Sequence, residues 1–84
     1  MNNKLAQEVV EFIKELTLQG DNVELAASLI GAAKKLDDLD EKEIAVFFAH
    51  ANNFIHSLAF SGDGIELAAD IMIKCRAEYE RLQK

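Results

Sequence analysis

Few side chains in this sequence could carry out chemistry, and their spacing argues against a catalytic site. The two histidines, His50 and His56, lie six residues apart, which places them about 120° apart around a helix. They therefore cannot bind one metal ion together, as histidines four residues apart on a helix do. Ser57 directly follows His56 and points to a different side, so no Ser–His nucleophile is expected. The single cysteine, Cys75, has apolar neighbours at helical spacing, which predicts a buried, unreactive thiol.

An acidic patch is the other group of residues that could bind a ligand; it consists of Asp37, Asp38, Asp40 and Glu41. An EF-hand calcium loop spreads its ligands over about 12 residues around a glycine, and this patch has neither feature. We expect its side chains to cap the next helix and to face solvent. The sequence also lacks glycine-rich phosphate-binding motifs. It therefore predicts no catalytic residue, no cofactor and no metal ion, so the protein is not expected to be an enzyme.

The composition fits one small folded domain that covers residues 1–84. Apolar residues make up 50% of the chain and charged residues 29%, which is typical of a globular protein rather than a disordered one. The net charge of −6 argues against direct binding to nucleic acid, since phosphate backbones attract basic surfaces. One cysteine excludes an internal disulfide, and acids near the N-terminus argue against a signal peptide. We therefore expect a cytoplasmic protein.

Apolar residues recur at helical spacing along the whole chain, and no stretch alternates as a β-strand would. Gly20 and Gly62 are expected to have positive φ angles and to end the helices that precede them. Asp21 and Asp63 follow these glycines, with a glutamate three residues later, so we expect each of them to cap the next helix. The pattern predicts four helices, at about residues 3–19, 22–36, 41–60 and 63–83.

The predicted helices pair into two antiparallel hairpins, because only a tight glycine turn joins the members of each pair. Asp40 is expected to cap the third helix, with Glu43 completing a capping box and Leu39 packing on Ile44 across it. The first hairpin then covers residues 3–36, an acidic linker covers 37–40, and the second hairpin covers 41–83.

The two hairpins repeat one another in sequence. A shift of 42 residues aligns 12–30 with 54–72, and nine of the nineteen positions are then identical. Two capped hairpins could converge on the same Gly-Asp turn, but the residues shared on both sides of the turn favour a duplication. The sequence therefore predicts an all-α fold, in which four helices form two duplicated antiparallel α-hairpins in a compact bundle. The identical pairs are Phe12/Phe54, Ile13/Ile55, Leu16/Leu58, Gly20/Gly62, Asp21/Asp63, Glu24/Glu66, Leu25/Leu67, Ala26/Ala68 and Ala27/Ala69.

The duplication reveals an uncharged face on the third predicted helix. No Asp, Glu, Lys or Arg lies between Ile44 and Gly62. An exposed helix face normally carries charge, so a helix without charge on any side is expected to be covered on all sides. The outward positions of this helix are Val46, His50, Asn53, Ser57 and Phe60, and the equivalent positions of the first helix are Lys4, Glu8, Glu11, Glu15 and Leu18.

Three arrangements would cover the third helix. It could span a membrane, but a span needs about 20 apolar residues, and polar side chains interrupt this segment. It could be a core helix, covered by the linker or by a chain terminus. It could also pack against a second copy of the chain or against a partner protein. We expect the last arrangement, because interface cores are depleted of charge and enriched in aromatic residues.

Function follows from this surface rather than from any catalytic motif. We expect a small acidic protein–protein interaction module (an adaptor, inhibitor or regulator) that acts through the uncharged face and forms a homodimer. The alternative is an acidic immunity or anti-defence inhibitor that occupies the basic cleft of a nucleic-acid-binding enzyme. Steep loss of binding with salt would favour the alternative, and weak salt dependence the interaction module. Neither function involves direct binding to nucleic acid or to a membrane.

Overall fold

The computed structural model describes residues 3–83, and this part of the chain forms four α-helices. They are α1 (Asn3–Lys14), α2 (Asp21–Lys34), α3 (Glu41–His56) and α4 (Asp63–Leu82), with one 3-10 turn, Leu36–Asp38, between α2 and α3. The described residues contain no β-strand, which confirms the all-α prediction. The radius of gyration is 12.2 Å, and about 12 Å is expected for a compact chain of this length. Residues 1, 2 and 84 of the predicted domain lie outside the described part.

The helices form a closed ring of contacts, from α1 through α2, α3 and α4 back to α1. Each helix turns one apolar stripe inward, as expected when a small bundle buries its hydrophobic surface. Burial follows the 42-residue repeat, so the two halves contribute matching positions to one core. The pairs that are apolar and buried in both halves are Leu5/Phe47, Ala6/Phe48, Val9/Ala51, Ile13/Ile55, Ala26/Ala68 and Leu29/Ile71.

The first helix of each hairpin ends earlier than predicted. α1 ends at Lys14 and α3 at His56, and a six-residue connection then leads to the next helix. Within these connections Leu18 and Phe60 are half-buried and pack against the core. A longer helix would have turned both side chains outward, so the helices end where apolar burial is gained. The predicted ends at residues 19 and 60 are therefore wrong.

The glycine turns have the predicted positive φ but a different role. Gly20 has φ 61° and Gly62 has φ 60°, and each occupies the N-cap position of the following helix rather than the end of the preceding one. Asp21 and Asp63 are the first residues of α2 and α4, and no side chain caps either helix. The predicted caps at the two aspartates are wrong, because a capping side chain must come from the residue before the first helical one. Their carboxylates still face the positive end of the helix dipole.

The two connections, residues 15–20 and 57–62, have the same backbone hydrogen bonds. The Leu16 amide donates to the Ile13 carbonyl at 3.1 Å, and 42 residues later the Leu58 amide donates to the Ile55 carbonyl at 3.1 Å. The ψ angles of the two glycines are −136° and −137°. The repeat therefore extends from sequence to backbone conformation. The other matching bonds are Glu15 to Phe12 and Ser57 to Phe54, Asn22 to Gln19 and Gly64 to Ser61, and Val23 to Gly20 and Ile65 to Gly62.

The capping box predicted at the start of α3 is present. The Glu43 amide donates to Asp40 Oδ1 at 2.8 Å, and the Asp40 amide donates to Glu43 Oε1 at 3.3 Å. Leu36 is buried and Leu39 is half-buried beside the core. The linker thus fixes the junction between the hairpins through one cap and two leucines.

Candidate interaction surfaces

The predicted uncharged face of α3 is open to solvent in the single chain. Val46, His50, Asn53 and Ser57 are all exposed, and Val46 keeps 45% of its accessible surface. The linker does not cover these positions, so the core-helix interpretation is wrong for this face. Among the described residues no helix is both long and apolar enough to cross a membrane. The opposite side of α3 is buried and consists of Ile44, Ala45, Phe47, Phe48, Ala51, Phe54 and Ile55.

Phe60 does not share this face. It lies in the second connection, half-buried, with its ring centroid 5.7 Å from that of Phe12. Ser57 is the residue that follows α3, and its hydroxyl donates to the Phe54 carbonyl at 2.7 Å. Asn53 lines a different cleft, between α3 and α4. Of the five predicted residues, four follow one exposed side of α3 and of the residue after it, and Phe60 lies apart from them.

Val46 and His50 form one wall of a groove between α2 and α3. The other wall consists of Ser28, Leu29 and Ala32 on α2, and the groove volume is about 270 Å³. Sequence reasoning missed the α2 wall, although its small residues indicate a helix that a neighbour can approach closely. We call this surface the α2–α3 groove; Leu39, Glu43 and Phe47 complete its lining.

A second groove, between α1 and α4, occupies the equivalent position in the other half. Its volume is about 430 Å³. In the 42-residue repeat α1 corresponds to α3 and α4 to α2, so equivalent helices form the two grooves. We call this surface the α1–α4 groove; its lining residues are Lys4, Leu5, Glu8, Lys74, Ala77, Glu78 and Arg81. The positions that line both grooves are Lys4/Val46, Leu5/Phe47, Glu8/His50, Lys74/Ala32 and Arg81/Leu39.

One ion pair bridges the α1–α4 groove, and a second lies within α4. Lys74 Nζ lies 3.1 Å from Asp70 Oδ2 and 3.5 Å from Glu8 Oε2. The hydrogen bond and charge of Asp70, together with the charge of Glu8, raise the pKa of Lys74 above its ordinary value. The lysine is therefore charged and engaged across both helices at neutral pH. At the equivalent positions the α2–α3 groove has Ala32, Ser28 and His50.

A buried carboxylate lies at the end of the α1–α4 groove. Glu78 is only 7% exposed, and its two carboxylate oxygens accept hydrogen bonds from Arg81 Nε at 2.8 Å and Nη2 at 2.7 Å. These hydrogen bonds, and the charge of the guanidinium, hold the pKa of Glu78 below its ordinary value despite burial. The equivalent pair in the first half is Leu36 and Leu39. Two leucines thus occupy these positions in the first half, and an ion pair occupies them in the second.

The residues considered for chemistry form no reactive site in the described part of the chain. Burial, helped by the Glu8 charge, raises the pKa of the Cys75 thiol to about 12, so the thiolate is scarce at neutral pH. Among the described residues no three His, Cys, Asp or Glu side chains could hold a metal ion. The acidic patch is exposed throughout, and its Asp40 serves as the helix cap.

A cleft of about 510 Å³ lies between α1 and α2. The equivalent cleft between α3 and α4 is about 320 Å³, because Cys75 and Tyr79 occupy positions where the first half has Ala33 and Asp37. Charged and apolar residues alternate around the larger cleft without forming a cluster of one kind.

In the comparisons with known proteins, no protein-family model, curated protein or solved structure matches this chain.

Proposed function

We propose that the protein is a small acidic protein–protein interaction module that binds through the α2–α3 groove and the adjoining uncharged face of α3. The partner is a second copy of the chain, so that the module is a homodimer. The observation that carries this proposal is the contrast between the two equivalent grooves. One is bridged by the Lys74–Glu8 ion pair, and the other presents Val46, His50 and small residues at equivalent positions.

Desolvation favours the α2–α3 groove as the interface. Covering the α1–α4 groove would remove water from Lys74, Glu8 and Asp70, and such a penalty often exceeds the gain from pairing. Covering the α2–α3 groove carries no comparable desolvation penalty. Glu43 is the only charged residue in its lining, and it already takes part in the capping box. His50 and Asn53 retain hydrogen-bonding groups that can be satisfied across a seam.

The charge distribution is compatible with a second copy as the partner. A twofold contact places the same surface on both sides, so charged residues at the seam would face like charges. Val46, His50, Asn53 and Ser57 carry no acidic or strongly basic group. A standard interface buries about 800 Å² per partner, which is roughly one seventh of this chain's 5719 Å² of accessible surface.

Sedimentation of a triple variant tests the homodimer. His50→Glu, Asn53→Glu and Ser57→Glu restore the acidic pattern of α1, and like charges would then meet across the seam. We expect the parent to sediment as a dimer and the variant as a monomer with nearly unchanged helical content. A control with the same added charge at exposed positions elsewhere, Ala27→Glu with Ala77→Glu and Gln83→Glu, should remain a dimer. A monomeric parent, or a dimeric triple variant, would disprove the self-association.

The acidic inhibitor of a nucleic-acid-binding enzyme is the second candidate function. The net charge of −6 supports it, since complementary charge accelerates encounter with a basic partner. Homodimerisation through an uncharged groove should depend weakly on salt, whereas capture of a basic cleft should weaken steeply between low and high salt. Salt titration of the two binding reactions therefore separates these functions.

A further inference from the structure

Small side chains form the floor of the cleft between α1 and α2, which we call the α1–α2 cleft. Ala6 and Ala33 line it, and the equivalent residues of the second half are Phe48 and Cys75. Both of these larger residues are fully buried, and the Phe48 ring centroid lies 5.1 Å from that of Phe47. The cleft volume is about 510 Å³, against about 320 Å³ for its counterpart. Where the second half packs a phenyl ring, the first half therefore has a methyl group at the bottom of an open cleft.

The residues that line the α1–α2 cleft are separated by depth. Ala6 and Leu36 are each only 3% exposed, and Val10 and Ala33 are half-buried. The other lining residues are polar, and all of them are exposed: Gln7, Glu11, Lys14, Lys34 and Asp37. The cleft thus combines an apolar floor with a polar rim, which is typical of sites that bind small molecules.

Two unpaired cations lie on the rim of the α1–α2 cleft. Lys14 and Lys34 have no ion pair within the described part of the chain. At the position of Lys34 the second half has Arg76, whose guanidinium lies 3.2 Å from a glutamate four residues later. Of the two acids on the rim, Asp37 already interacts with another group, which leaves Glu11. The rim therefore carries more free positive than free negative charge, and this favours an anionic ligand.

We infer that the α1–α2 cleft binds a small aromatic carboxylate. The ring of the ligand lies on the floor, at the position where the second half has its own phenyl ring, Phe48. The carboxylate pairs with Lys14 or Lys34 at the rim. Apolar cavities left by a shortened side chain are known to bind benzene, and here the repeat itself shows which group the position can hold. The inference does not depend on the homodimer, because the cleft and the α2–α3 groove share no lining residue.

Titration of the full chain with phenylacetate, followed by NMR, tests the site. The ring current of a bound phenyl group should shift the methyl resonances of Ala6 and Ala33, which lie in the floor. Phenylethylamine, which has the ring and the opposite charge, and acetate, which lacks the ring, are the controls. We expect phenylacetate to bind at least about tenfold more tightly than either control. Equal binding of the three compounds, or shifts confined to residues outside the cleft, would overturn the inference.

Matched variants locate the ring. Ala6→Phe copies the second half and occupies the floor, so it should weaken phenylacetate binding by about tenfold or more. The control Ala27→Phe adds the same ring at an exposed position of α2 outside the cleft, and it should leave binding unchanged. Circular dichroism checks that both variants fold. Unchanged affinity in a folded Ala6→Phe variant, or equal loss in the control, would contradict the proposed position of the ring.

A second variant tests the rim without altering the floor. Lys14→Gln with Lys34→Gln removes both cations and should abolish the preference for phenylacetate over phenylethylamine. This variant keeps the inference testable if Ala6→Phe does not fold, and a preference that persists in it would exclude the lysines as ligands of the carboxylate. The triple variant of α3 should retain binding of phenylacetate, which separates this site from the homodimer seam.

Discussion

The two grooves of this bundle share a backbone arrangement and differ in their side chains. In the α1–α4 groove Lys74 pairs with Glu8 across the helices and with Asp70 on its own helix, and Arg81 pairs with the buried Glu78. In the α2–α3 groove the equivalent positions are uncharged, and the walls are Val46, His50 and residues with small side chains. Core and turns are retained in both halves because each hairpin needs them to fold. The side chains that differ without affecting the core are therefore where we propose the function to lie.

The ion-paired groove also provides a reference for the open one. Both lie between helices that correspond in the 42-residue repeat, and their volumes are about 430 and 270 Å³. Surface ion pairs are worth about 0–1 kcal/mol each, so losing them from one half has little effect on folding. The absence of ion pairs from the α2–α3 groove is therefore compatible with a stable fold.

Substitutions at the turns should have the largest effect on stability and should act equally in both halves. Gly20→Val and Gly62→Val place a β-branched residue at φ near +60°, which should lower the free energy of unfolding by about 1–3 kcal/mol each. Gly31 lies inside α2 at an ordinary φ with open space around it, so Gly31→Ala should instead stabilise by about 0.5–1 kcal/mol. Urea unfolding measures the stability of all three variants. A clear difference between Gly20→Val and Gly62→Val would show that the two turns contribute unequally to the free energy of unfolding.

The buried carboxylate should give the next largest effect. Arg81→Leu leaves Glu78 buried without its partner, so stability should fall by about 1–3 kcal/mol. The double variant Glu78→Leu with Arg81→Leu recreates the leucine pair of the first half and should be neutral or more stable than the parent. Thermal unfolding distinguishes these outcomes. A double variant as unstable as the single one would mean that this position in α4 cannot accept the packing of the first half.

Lowering the pH should reduce the free energy of unfolding through the same carboxylate, Glu78. The folded-state pKa of Glu78 is lowered, so its stabilising contribution is present above the ordinary glutamate pKa of about 4.3. It is lost as pH falls below that value and through the folded-state pKa. Unfolding free energies measured from pH 6 down to about pH 3 should therefore decline more steeply for the parent than for Glu78→Gln. Parallel curves would contradict the assignment of the lowered pKa to Arg81.

Removing the charges from the α1–α4 groove should have the smallest effect on stability but a clear effect on association. Glu8→His, Asp70→Ser and Lys74→Ala copy the residues of the α2–α3 groove. The loss in stability should be at most about 1 kcal/mol, because the ion pairs are exposed. With the ion pairs of Lys74 removed, the α1–α4 groove should offer a second contact surface and the chain should assemble beyond the dimer, which light scattering would detect. A variant that stays dimeric would show that removing these three charges is not enough to make an interface.

The sequence predicts much of the fold because its signals are local or repeated. Helical periodicity gives the four helices, and the Gly-Asp turns give the breaks between them. The capping box at Asp40 is likewise a contact between residues three apart, so its spacing is sufficient to predict it. The errors at Asp21 and Asp63 arose because the glycine, rather than the aspartate, occupies the residue before the first helical turn.

The predicted interface was only partly assembled by the fold. Phe60 continues the helical spacing of Val46 and His50 in sequence, yet it packs beside Phe12 because the chain leaves the helix at His56. Burial of an apolar side chain thus outweighed continued helical hydrogen bonding over four residues. The balance between apolar burial and helical hydrogen bonding depends on contacts with other helices. The periodicity of one helix therefore cannot predict it.

Residue types and their spacing are sufficient to predict the helical class, the 42-residue repeat and the absence of charge along the third helix. The contacts between residues of different helices could be read only from the folded chain. The fold placed Ser28 and Ala32 opposite Val46 and His50, set Lys74 between Glu8 and Asp70, and brought the two connections together around one cavity. Contacts between distant residues depend on how whole helices pack their buried faces, and that packing is a property of all the side chains together.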